Sequence, residues 1–98
     1  MTEEIQHKQD NVVFVGKKYA KEYMWAVVTQ FHQGAKEVIV KARGKLISKA
    51  VDVSEGVKNK FMPDAKIKDV RITTEKLTSE DGTKTNVSAI EIVLIKEN

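Results

Sequence analysis

No cysteine occurs in this sequence, which excludes disulfides, zinc–thiolate sites and thiol nucleophiles. Long apolar runs are also missing. No stretch approaches the ~18–20 residues that a bilayer span requires, so a soluble cytoplasmic protein with no membrane partner is expected. The opening segment, MTEEIQHKQD, is polar and acidic and does not have the pattern of a secretory signal. Aromatic residues make up only 6% of the chain. None forms a stacking platform along an alternating strand, which argues against base recognition on single strands but not against duplex binding. Arginine is scarce: Arg43 and Arg71 are the two, and the other fifteen basic residues are lysine. Arginine supplies the bidentate fork that reads guanine edges, whereas lysine acts as a point charge toward phosphate. Any nucleic-acid partner would thus be bound with little sequence preference. A lysine bias from heat adaptation or genome composition would produce the same ratio.

Catalytic constellations are missing as well. His7 lies in the N-terminal segment and His32 near a helix end, and their spacing makes neither a metal site nor a catalytic pair. Ser48 lacks a GxSxG elbow, and KARGKLISK lacks the spacing of a phosphate loop. Asp52 and Glu55 stand one helical turn apart among Lys45, Lys49 and Lys58, a pattern of surface ion pairs. The expectation is a protein without enzymatic activity, metal or cofactor.

What is present is one domain's worth of alternating pattern. Residues 1–10 show no apolar periodicity and read as a flexible tail, leaving 11–98 as a single domain near the low end for one core. Asn11–Gly16 is β-branched and closed by glycine. Ala20, Met24, Val27, Val28 and Phe31 then recur at helical spacing until Gly34. Glu37–Ala42 predicts a second strand, and about 45–62 a second helix ended by Pro63. AKIKDVRIT at 65–73 changes phase, so a bulge near Asp69 is expected. A last strand covers about 86–96, after a polar connection at 74–85 that contains Glu80-Asp81-Gly82. The order is β-α-β-α-β-β, an α+β two-layer sandwich. Two helices cover a four-stranded mixed sheet, and the extended hairpin of the third and fourth strands projects beyond it.

Charge is placed unevenly on this frame. Residues 16–60 carry ten Lys/Arg against four acids, and residues 61–98 carry six against seven. VFVGKK at 13–18 and VKARGKLISKAVD at 40–52 each pass from a strand through glycine into a helix-like stretch. Lys17, Lys18, Lys41, Arg43, Lys45 and Lys49 therefore fall at strand ends and first helical turns, where backbone N–H groups and the helix dipole favour anions. As a set they form a candidate phosphate-binding surface; singly, each is more often an ordinary solvated cation. In the hairpin, Lys76, Lys84 and nearby hydroxyls are suited to a groove, while Glu75, Glu80 and Asp81 favour a solvated loop. Phe61 is either an exposed association anchor or, as is commoner, a core residue. Trp25 lies off the apolar stripe, at a helix margin or a subunit contact.

Four segments together resemble the Alba family, small basic chromatin proteins of archaea: NVVFVGKK (11–18), FHQGAKEVIVKARGKLISKAVD (31–52), VKNKFMPD (57–64), and TSEDG with VSAIEI (78–82 and 87–92). The similarity extends from about Asn11 to Lys96. It implies the same element order, in a fold like the C-terminal domain of a bacterial translation initiation factor. It also implies a dimer that coats and compacts double-stranded DNA without marked sequence preference and binds RNA, associated with the chromosome in the cytoplasm. Pairing with a paralogue is a possible variation. By the resemblance Lys17 and Lys18 face DNA, Lys17 is a site of reversible acetylation by an acetyltransferase and deacetylase, and Lys41, Arg43 and Lys45 line the same face. The hairpins, with Lys84, reach toward the minor groove. Asn59, Lys60 and Phe61 help dimers associate side by side. The sequence departs from the family at Tyr19, where proline is common, at Thr83 and Asn86, where arginines often occur, and at Lys60, often arginine. The competing expectation is an RNA-centred protein, a chaperone or ribonucleoprotein subunit using the same surface on A-form helices.

Overall fold

A computed structural model describes residues 11–97. Strand β1 (Val12–Phe14) is followed by helix α1 (Ala20–His32) and strand β2 (Glu37–Arg43). A 3₁₀ turn (Gly44–Leu46) leads into helix α2 (Ile47–Gly56), which continues as a π-helical turn (Val57–Phe61). Strands β3 (Ala65–Thr78) and β4 (Lys84–Lys96) complete the chain. The sheet order is β1-β2-β4-β3, with β1 parallel to β2 and the other pairs antiparallel. The expected α+β architecture is therefore the observed one. The expected tail, residues 1–10, lies outside the described residues.

One sheet face is apolar because alternate residues of the strands fall on it. Val38, Val40 and Ala42 of β2 lie opposite Leu94, Ile92 and Ile90 of β4, and all six are buried. Helix α1 adds Val27, Val28 and Phe31, and α2 adds Ala50 and Val53. Burial of each such aliphatic side chain contributes at most roughly 1.5–3 kcal/mol, so this layer rather than helix propensity holds the fold. The one buried polar side chain among the described residues, Ser54, donates its hydroxyl to the Ala50 carbonyl at 3.0 Å.

Three local features differ from, or refine, the expectation. The second helix is not uniform over 45–62: it opens as a 3₁₀ turn and closes as a π turn, with the Met62 N–H donating to the Val57 carbonyl at 2.8 Å before Pro63. The phase change in β3 is a bulge at Lys68, since Ile67 faces Leu94 and Asp69 faces Val93. The polar connection is shorter than 74–85. Residues 74–78 pair with 84–88 as strand, and the chain turns within 79–83. The expected projecting hairpin is present, but the sequence hides how far its strands run, because water bathes both faces of the arm and no buried side enforces a period of two.

At the arm's tip the Ser79 N–H donates to the Thr83 carbonyl at 2.8 Å, and the Thr83 N–H donates to Asp81 Oδ1 at 3.0 Å. Bonds from the Thr83 backbone and hydroxyl hold the Asp81 carboxyl below its ordinary 3.8. A lowered value means that this contribution is present above pH 3.8 and is lost as pH falls through the lowered value.

Candidate nucleic-acid interface

Parallel pairing of β1 and β2 brings their C-terminal ends to the same end of the sheet, and with them both lysine-bearing corners. The antiparallel register places Arg43 opposite Ala89, so residues 84–88 of β4 continue past that end as the arm. Two basic corners and the β3–β4 arm thus share one end of the molecule.

The first corner is built around Gly16. A Cβ there would lie 2.9 Å from the Tyr23 hydroxyl, closer than side chains normally approach. That hydroxyl accepts the Lys18 N–H at 3.1 Å. The Lys49 ammonium, from α2, donates to the Gly16 carbonyl at 3.0 Å and to the Lys18 carbonyl at 2.7 Å. The loop is clamped from two helices while the Lys17 and Lys18 side chains remain exposed. Lys49, expected among the phosphate contacts, thus commits two of its three donors to the protein's own backbone.

The second corner turns at Gly44, whose φ of +55° is a left-handed conformation that side chains rarely adopt. Arg43 before it and Lys45 after it are both exposed. Lys41 is half-buried on the solvent face of β2. Its ammonium lies 5.6 Å from the Phe14 ring centroid and 3.2 Å from Glu91 Oε2. Arg43 Nε lies 2.6 Å from Glu75 Oε1. Arg71 joins the same face through Glu91 at 3.4 Å and Asp69 at 3.1 Å. Lys17, Lys18, Lys45 and Lys84 make no ion pair among the described residues. Lys84 opens β4 opposite Thr78, far out on the arm.

Asn59, Lys60 and Phe61 sit together in the π turn, at the end of the α2 segment away from the basic corners. Phe61 is 36% exposed rather than a core residue, and its ring centroid lies 5.5 Å from that of Trp25, tilted by 39°. Trp25 is itself 55% exposed, so the pair forms an aromatic step on the surface. Sequence patterns miss Glu75, Glu91 and Tyr23 as members of the site's surroundings. Each acts across the fold, and no local spacing signals it. Among the described residues, no group of three or more acidic or histidine side chains is arranged to hold a metal, and no helix is long and apolar enough to cross a membrane.

Two helices on a four-stranded mixed sheet, with two lysine-bearing corners and a projecting hairpin at one end, define a class of small α+β domain. The match is specific: the Alba family model covers residues 11–74, and this chain belongs to that family. It is 56% identical over 88 residues to "DNA/RNA-binding protein Alba 1" of Archaeoglobus fulgidus, covering 90% of this chain and 98% of that protein. It is 55% identical over 86 residues to "DNA/RNA-binding protein Alba" of Methanocella arvoryzae, covering 88% and 90%. The solved structure of Alba from Thermoplasma volcanium superposes with a TM-score of 0.82 at 55% identity, covering 88% of this chain and all of that one.

Proposed function

We propose that residues 11–98 form one nucleic-acid-binding unit. In this reading the protein coats and compacts double-stranded DNA as a dimer, without sequence preference, and binds RNA through the same surface. The observation that carries it is the convergence of Lys17, Lys18, Arg43 and Lys45 at the sheet end from which the arm projects. Backbone phosphates satisfy such a surface whatever the base sequence. The relatives' names, which pair DNA with RNA, support the same class of partner. In this reading the protein is not an enzyme, uses no cofactor and works on the chromosome in the cytoplasm.

The dimer has support in β3. Val70 and Ile72 lie on the helix-bearing side of the sheet, in register with buried Ile92 and Ile90, yet they are 47% and 75% exposed. A second copy of this chain, or a paralogue, would cover that row. The surface step of Phe61 and Trp25, flanked by Asn59 and Lys60, suits side-by-side association of dimers along DNA. Exposure of Lys17 on a clamped loop suits enzymatic acetylation, which would remove a phosphate-pairing charge.

Fluorescence-anisotropy titration of random-sequence duplex DNA and duplex RNA, at several salt concentrations, tests this function. DNA affinity that is similar across sequences and falls steeply with salt is expected. Tight RNA binding with weak DNA binding would move the function to RNA metabolism, the RNA-centred alternative. No binding to either at low salt would refute it.

A further inference from the structure

The two cations on the solvent face near the basic corners are not free. Phe14, Lys41, Arg43, Glu75 and Glu91 line a groove of about 370 Å³, so two positive side chains meet two carboxylates there. Glu91 also faces Arg71 and so bridges two cations across the sheet. Glu75 is different: its ion pair is with Arg43 alone, at 2.6 Å, and it comes from a strand that is not adjacent to β2. Strand β4 lies between them. There Arg43 faces Ala89 and Ala89 faces Thr73, with Glu75 two residues farther along the arm on the same face. The small Ala89 side chain leaves a clear path over which two long side chains meet, across roughly 9–10 Å of sheet. Both remain partly in water, Arg43 at 56% and Glu75 at 38% side-chain exposure, so a phosphate has access to the guanidinium.

We propose that Glu75 is an internal competitor for Arg43, a carboxylate that a nucleic-acid phosphate must displace, and that it thereby limits the affinity and salt sensitivity of this corner. The inference rests on the nucleic-acid-binding reading above. The physical basis is simple: two anions compete for one fork of donors, and an exposed ion pair is weak enough to exchange. Lys17, Lys18 and Lys45 then act as standing charges that collect DNA, while Arg43 engages only when the arm's own carboxylate lets go. A domain that covers long stretches of duplex benefits from a contact that is exchangeable rather than fixed.

The test compares wild type, Glu75→Gln and Glu97→Gln in salt-dependent titrations of random-sequence duplex DNA. Glu97 pairs with Lys66 at 3.0 Å at the opposite end of the sheet, so its substitution makes the same change in net charge away from Arg43. Glu75→Gln should tighten binding by roughly two- to fivefold, the scale of an exposed ion pair. It should also steepen the log–log salt slope by up to about 0.9, the value for one further neutralised phosphate. Glu97→Gln should do less on both counts, and the gain should vanish when Glu75→Gln is placed on Arg43→Met. Equal gains from both glutamines, or a gain that survives without Arg43, would overturn the proposal. Weaker binding by Glu75→Gln would overturn it too, because the carboxylate would then be holding the guanidinium in place. Absence of wild-type binding would instead remove the nucleic-acid reading itself.

Discussion

Lys49 illustrates how one side chain's role depends on what surrounds it. In the sequence it is another lysine one turn into a basic helix, indistinguishable from Lys45. In the fold its ammonium holds the Gly16 and Lys18 carbonyls, so under the proposed function its effect on binding would pass through the loop that displays Lys17 and Lys18. Lys49→Met should therefore lower duplex affinity and speed amide hydrogen exchange at residues 16–19, at a cost of about 1 kcal/mol in stability. Lys49→Arg, which retains charge and donors, should restore much of both. On a Lys17→Ala/Lys18→Ala background the effect of Lys49→Met on affinity should largely disappear, as positioning requires. Persistence of the full effect there would make Lys49 a direct phosphate ligand. The carboxylates that meet Arg43 and Lys41 are likewise illegible in the sequence, because cross-strand partners depend on register, between β2 and β4 for Glu91 and, for Glu75, past the bulge at Lys68 in β3.

At the scale of elements, legibility follows burial. Helix α1 and strands β1 and β2 are readable because each has one side against the core, and hydrophobic spacing records that side. The arm has no such side, so the sequence implies a projecting hairpin while its outer residues, 74–78 and 84–85, look like a connection. Strand β3 carries the opposite signal: Val70 and Ile72 are in phase with the core but lie where no helix of the same chain covers them well. Ile72→Asp places a charge in that row. In a monomer, at 75% exposure, the change should matter little to stability. In the dimer proposed here it should shift the solution mass, measured by light scattering, toward that of one chain. An unchanged monomer mass in wild type and variant would exclude β3 as a dimer surface.

For the whole molecule, the decisive property is that charge and shape coincide. The chain carries a modest net charge of +3, yet three lysines that make no ion pair among the described residues, Lys17, Lys18 and Lys45, stand where two parallel strands end and the arm departs. The candidate cations are legible from the sequence, since glycine followed by lysine at a strand end is a local pattern. Their sorting into exposed, paired and backbone-bound groups requires the fold. Lys17, Lys18 and Lys45 make no ion pair among the described residues and, in the proposed function, are the ones left for a polyanion; Lys41 and Arg43 are partnered by carboxylates, and Lys49 holds the loop.

The most direct test of this account is the salt dependence of duplex DNA binding by Lys17→Ala/Lys18→Ala beside wild type, with thermal unfolding as the control. The log–log slope should flatten by about 0.9 for each phosphate that the variant no longer neutralises, while the unfolding temperature stays unchanged. An unchanged slope would take both lysines out of the interface and contradict the placement of nucleic acid at this end of the sheet.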